Sequence, residues 1–186
     1  QKYIWNSQHL ASYKQTRNQL LGTDYSSRFS PWLSMGSLSP RRVYFEVKHF
    51  EETVTANEST YWLIFELLWR DFFRWVARKY GAKIFSKNGI KGIQTQRTGS
   101  LNDFERWING ETGVPLVDAC MTELKQTGFL SNRGRQLVAS YLINDLQCDW
   151  CWGARWFESQ LVDYDVCSNW GNWMYLAGVG NDPRKD

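Results

Sequence analysis

Four groups of residues in this chain have types and spacings that could do chemistry. Trp62, Glu66, Trp69 and Phe73 recur at helical steps, which sets one carboxylate in an aromatic stripe on a single face. A buried carboxylate without a donor is costly, so Glu66 either pairs with Arg70, one turn on, or lines a cavity and takes hydrogen bonds from a flat polar ligand. Ser26, Ser27, Arg28, Phe29 and Ser30 precede Pro31. Hydroxyls and a cation at a helix start suit a phosphate or pyrophosphate, although two capped helices are the plainer reading. In a third group Asn132, Arg133, Arg135 and Gln136 share a first helical turn, where cations oppose the helix dipole and call for an anion or an acid. Last, "DYDVCSNWGNW" gathers Asp163, Asp165 and Asn169 around a helix start, with Trp173 one turn beyond Asn169.

Other chemistries have few parts. The two histidines, His9 and His49, have no metal ligand or serine nucleophile beside them in sequence. Cys148 and Cys151 form a C-x-x-C without a second pair or a nearby His, and with Cys120 and Cys167 they read as reduced, mostly buried thiols. By contrast, 11 Trp, 9 Tyr and 10 Phe supply rings for a large core and for stacking on a planar ligand. A net charge of +3 permits a polyanion partner without demanding one.

The elements that must position these groups read as helices throughout, because apolar residues recur at three- and four-residue spacing and no run alternates over strand length. The expectation is an all-α chain with one domain and one sizeable core. A first helix is predicted over 8–21, stopped by Gly22, with further starts at Ser30-Pro31 and Ser39-Pro40. The longest helix is predicted from Thr60 to Tyr80, capped by Asn57 or Ser59 and closed by Gly81; apolar nearly all round, it should be central and largely buried. A polar loop covers 87–100. Beyond it, Asn102 with Glu105 should cap a short helix carrying Trp107, Pro115 and Gly128 should bound the next, and Ser131, Asp149 and Asp165 should cap three more. No apolar run is long enough to span a membrane, and the first residues lack a signal-peptide pattern. The opening "QKYIWNSQHL", without an initiator Met, and the ending "NDPRKD" read as an excised piece of something longer.

"FELLWRDFFR", "TGFLSNRGRQLVASYL", the run from "DW" through "WGARWFESQLVDYDVCSNWGNWMYLAGVGNDP", and "RFSPWLSMGSLSPR" together resemble the flavin-binding helical domain of the photolyase and cryptochrome family, most closely its DASH branch. The resemblance covers nearly the whole chain. It implies FAD held in a bent shape between helices. It also implies an N-terminal α/β domain with a folate antenna, methenyltetrahydrofolate, and a C-terminal continuation, neither of which this sequence contains; a piece without them should expose an apolar face. Carried over by position, Tyr13, the stretch Ser26 to Ser30 and Arg70 match cofactor-binding positions, as do Asn132, Arg135, Asp163, Asp165 and Asn169. Asn169 matches the residue facing flavin N5. Trp173, Trp150 and Trp107, in that order, match an electron-hopping chain from flavin to surface. Glu66 and Asn132 match groups on the damaged bases, Arg133 a backbone contact and Trp69 a ring against which the lesion packs. Gln136 and Tyr175 stand where duplex-active photolyases typically have Met and Trp.

The resemblance therefore implies a light-driven, FAD-dependent lyase that opens cyclobutane pyrimidine dimers, preferring single-stranded DNA, with no metal and no membrane, acting as a monomer. RNA is a second candidate polyanion. A blue-light photoreceptor signalling without repair is the alternative, and a flavin-free module stacking on single-stranded nucleic acid is a third reading. The resemblance is compatible with a bacterial cytoplasm, or with a plastid or mitochondrion in a eukaryote.

Overall fold

Short polar caps and glycine stops, rather than long uniform propensities, divide this chain into its elements. The computed structural model describes residues 2–181, and every regular element among them is helical. Nine α-helices occur among the described residues: α1 Tyr13–Thr16, α2 Ser30–Ser34, α3 Pro40–Thr53, α4 Glu58–Tyr80, α5 Leu101–Asn109, α6 Pro115–Thr127, α7 Asn132–Ser140, α8 Trp150–Gln160 and α9 Val166–Leu176. None of these helices is long and apolar enough to cross a membrane. The chain divides into two compact units, one ending at Phe72 and the other starting at Phe73, within α4.

The first unit is built on α3 and the first half of α4. Val43, Val47 and Phe50 of α3 meet Leu63 of α4 together with Tyr3, Ile4, Leu10 and Tyr13. Asn57 caps α4, its side-chain oxygen accepting from the backbone of Ser59 at 2.8 Å and Thr60 at 3.1 Å. The long first helix expected from 8 to 21 is not there. Gln8 sits in the left-handed region at φ 50°, and α1 is a single turn. The chain then turns away from the helix axis, where the Thr16 hydroxyl donates to the Tyr25 carbonyl at 2.8 Å.

The second unit packs α8 on α9 around a core that includes Trp107, Leu142, Ile143, Trp150, Ala154, Trp173 and Met174. Ser131, Asp149 and Asp165 cap α7, α8 and α9, accepting from Gly134, Cys151 and Ser168. The α5 start lies two residues earlier than expected. Ser100 accepts from Asp103 at 3.1 Å while Asp103 accepts from the Ser100 backbone at 3.2 Å, so this pair, not Asn102 with Glu105, forms the capping box. Close approach matters at two glycines: a Cβ on Gly171 would run into the Phe73 ring, and one on Gly153 into Trp173 and Leu142. The helix α4 is less buried than its composition implies. Tyr61, Leu68, Phe72 and Trp75 recur at helical spacing and stay exposed, with Trp75 at 63%.

Candidate functional site

In the first unit Glu66 is the centre of a polar cluster. Its carboxylate pairs with Arg17 and accepts from the Trp62 indole N–H at 3.1 Å. Arg17 also lies 5.4 Å from the centre of the Trp62 ring, and Lys14 4.9 Å. The expected partner, Arg70, goes elsewhere: it donates to the Leu33 carbonyl at 3.1 Å and stands 3.9 Å from Asp71. Helical spacing offered Arg70, but the tertiary fold brings Arg17, for which the local sequence carries no signal. Burial pushes the Glu66 carboxyl up, against the Arg17 charge and the Trp62 hydrogen bond. Burial and then the charge of Glu66 likewise raise the Tyr13 hydroxyl to about 12, opposed by Arg17 and by a hydrogen bond from Ser26. Tyr13, Ser26, Arg17 and Glu66 are thus one electrostatic group.

The stretch 26–30 is a turn leading into α2, and α2 has only five residues, with Phe29 rather than Ser30 at the cap position. A capped helix N-terminus there is therefore corrected to a short turn of donors. Ser27 and Ser30 belong to it. Arg28 holds a left-handed φ of 51°, uncommon for a residue with a side chain, and donates to Gly22 at 3.0 Å. Phe29 meets the Tyr3 ring edge-on. The buried Tyr25 hydroxyl has no hydrogen-bond partner among the described residues. Trp69 packs edge-on between Phe65 and Phe72 along α4.

In the second unit one Arg135 nitrogen donates to both oxygens of Asp163, at 2.9 and 2.8 Å, and its Nε to the Leu130 carbonyl at 2.8 Å. Asp163 is the acid that the cationic first turn of α7 called for, its side chain only 2% exposed. Asp165 caps α9 and stands 3.4 Å from Arg74, a partner the sequence reading missed. Asn169 is buried, and its amide nitrogen donates to the Ala154 carbonyl at 3.0 Å, which leaves its carbonyl oxygen as an acceptor. Asn132 and Arg133 are exposed at the start of α7, and Gln136 and Tyr175 are half-buried.

The tryptophans are arranged differently from the expected sequence of hops. Trp107 lies directly against Trp173, edge to face at 6.3 Å, with Phe157 touching both. Trp150 instead meets Trp170 at 5.7 Å and donates to Lys87 at 3.0 Å. Trp107 does not reach the surface: it is 0% exposed, and its indole N–H donates to the Val138 carbonyl at 3.0 Å inside the core. The resemblance implied a surface end at Trp107, but this part of α5 packs into the core. No disulfide joins the four cysteines among the described residues, and burial raises Cys148 to about 11 and Cys151 to about 12, so these two thiols stay protonated. Among the described residues no cluster of acids, His and Cys could hold a metal.

The pattern of the FAD binding domain of DNA photolyase matches residues 62–185. Cryptochrome DASH of a Synechocystis species is 59% identical over 99% of this chain, and that of Xenopus laevis 58% identical over 99%. The chain spans 38% and 35% of these two relatives. The crystal structure of the Synechocystis cryptochrome superposes over 100% of the chain and 38% of its own, with a TM-score of 0.97 and 59% identity. A class III photolyase from Agrobacterium tumefaciens aligns over 98% of this chain and 37% of its own, with a TM-score of 0.87 and 31% identity. The flavin-free reading does not accommodate these matches. The chain belongs to the photolyase and cryptochrome family, in its cryptochrome DASH branch, and contributes the helical FAD-binding domain.

Proposed function

We propose that the protein carrying this chain repairs cyclobutane pyrimidine dimers in single-stranded DNA, driven by blue or near-UV light. The observation that carries the reading is Glu66, a carboxylate raised by burial and held by Arg17 and Trp62 within an aromatic stripe. When bound, FAD supplies the light absorption and one-electron chemistry that opens the cyclobutane ring.

The residues fit that cofactor. In the first unit the orphaned Tyr25 hydroxyl, Ser26, Ser27 and Ser30 supply donors of the kind phosphates take, with Tyr13 and Arg28 in the same part of the chain and Arg70 on α4. In the second, Arg135 and Asp163 make a fixed polar pair, Asp165 lies two residues on, and Asn169 presents an acceptor that adds no charge as a flat ring changes redox state. Trp173, beside Asn169 on α9, is the ring from which an electron would be drawn, with Trp107 next to it and Trp150, equally buried, against Trp170.

Enzymes that act on a base, photolyases among them, take it out of the stack, and a single strand needs no duplex opening. Glu66 and Asn132 would hold the base edges, with Glu66 set where negative charge develops on the dimer. Trp69 would pack against the lesion, Arg133 would meet the DNA backbone, and Gln136 and Tyr175 would make the cavity more polar than Met and Trp would. RNA is a second candidate partner on this reading, the protein acts as a monomer, and the folate antenna belongs to an α/β domain outside this chain.

The test is Glu66→Ala, with flavin content read by absorbance and dimer loss by chromatography of an illuminated single-stranded oligonucleotide. Repair is expected to fall far more than flavin binding. Equal losses of both would reject the role of Glu66, and intact dimer with fully reduced flavin in the wild type would favour a signalling photoreceptor.

A further inference from the structure

We propose that a surface depression between α5 and α8 is a binding site for a small planar anion: a heteroaromatic ring carrying one phosphate, of nucleoside-monophosphate size. The site draws on no residue proposed to hold flavin or DNA. Its lining comes from two helices. Leu101 and Phe104 lie one turn apart on α5, while Trp152, Arg155, Trp156 and Ser159 fall at steps of three, one and three on a single face of α8. The walls are aromatic and held from the core. Phe104 stacks on Trp107 at 5.9 Å with 23° between the planes, and Trp107 is fully buried. Trp152 lies 5.5 Å from Phe104, and both Trp152 and Trp156 pack on the core while staying half-buried. One helical turn apart, the two indoles are neighbours. A flat base stacks well on such rings, and a wall that is already fixed loses little freedom when it does.

The polar groups select for negative charge. Arg155 is exposed and makes no hydrogen bond or ion pair among the described residues, and neither the Trp152 nor the Trp156 indole N–H has a hydrogen-bond partner there. No carboxylate lines the depression. Of the acids close by in sequence, Asp103 accepts from the Ser100 hydroxyl at 2.7 Å, Glu158 accepts from the Trp170 indole at 3.3 Å, and Glu105 lies outside the lining. The Ser159 hydroxyl donates to the Trp156 carbonyl at 2.7 Å, so the guanidinium and the two indoles are the donors that remain. A guanidinium fork takes phosphate oxygens in pairs.

Size and charge together choose the occupant. The depression measures about 300 Å³, the lower end of the range of about 300–1,000 Å³ for small-molecule sites, which is room for one nucleotide. A single strand that binds by stacking needs a cationic groove along its backbone. The lining offers one cation, enough for a free monophosphate and too little to track a strand.

The test is equilibrium dialysis of AMP, adenosine and single-stranded oligo(dA) against the full-length, flavin-loaded protein in the dark, with circular dichroism and flavin absorbance certifying each variant. Trp156→Ala is expected to weaken AMP binding about tenfold, and Trp156→Phe to keep most of it. Arg155→Gln should weaken AMP severalfold and leave adenosine unchanged, which separates the phosphate contact from the stacking. In the wild type, photolabelling with azido-AMP followed by peptide mass spectrometry should mark α5 or α8. Absence of AMP binding, an unchanged AMP affinity in both Trp156→Ala and Arg155→Gln, or a label confined to other helices overturns the proposal. So does oligo(dA) binding that suffers more than AMP binding from the same substitutions, since the occupant is then a strand. If Trp156→Ala does not fold, Arg155→Gln and the labelling decide.

Discussion

Glu66 and Asp163 show how single charges are handled in this chain. The Glu66 side chain is 32% exposed, and burial raises its carboxyl against the pull of Arg17 and Trp62. It therefore holds its proton more tightly in the fold than in the unfolded chain. That contribution to stability is full below the unfolded carboxyl value and is lost as pH rises through the folded one. Arg17→Ala should move the Glu66 titration further up, as followed by carboxyl NMR; no movement would mean that the pair does not set it. Asp163 is more deeply buried, and removing one partner of a buried pair leaves an uncompensated charge. Arg135→Met should cost about 3 kcal/mol in denaturant unfolding, and a loss near zero would contradict the pairing. Asp163 was legible in kind, since the cationic start of α7 asked for an acid. Arg17 was not, because nothing local to Glu66 or Arg17 encodes a contact between segments so distant in the chain.

At the scale of elements, caps and close approaches set the site. Asp165 accepts from the Ser168 backbone and fixes where α9 begins, and so where Asn169 and Trp173 fall. Asp165→Ala should cost about 1 kcal/mol in thermal or denaturant unfolding, the worth of a lost cap. Gly153 lets α8 come against the Trp173 ring. Gly153→Ala should displace that ring, lowering stability by about 1–3 kcal/mol and shifting tryptophan fluorescence; an unshifted spectrum at full stability would contradict the packing. These elements were readable because caps are local: Asn57, Ser131, Asp149 and Asp165 all act within three residues. Ser100 was missed because Ser100 with Asp103 and Asn102 with Glu105 are both competent boxes, and only the loop before α5 chooses between them. The first helix failed because its apolar periodicity says nothing of the left-handed turn at Gln8.

For the whole molecule, the all-helical class and the family were legible because four motifs stand in order along nearly the full chain, whereas the burial of α4 was not. A helix apolar on every side can be a core helix or can carry an exposed stripe such as Tyr61, Leu68, Phe72 and Trp75, and composition does not distinguish them. Exposed apolar side chains that recur along one helix face commonly mark a contact surface. The most direct measurement is dimer loss per absorbed photon, for the protein with its flavin fully reduced and a single-stranded oligonucleotide bearing one thymine dimer. Loss in proportion to absorbed light, and none in the dark, is the expected result. An intact dimer after illumination, with flavin bound and reduced, would contradict the repair reading.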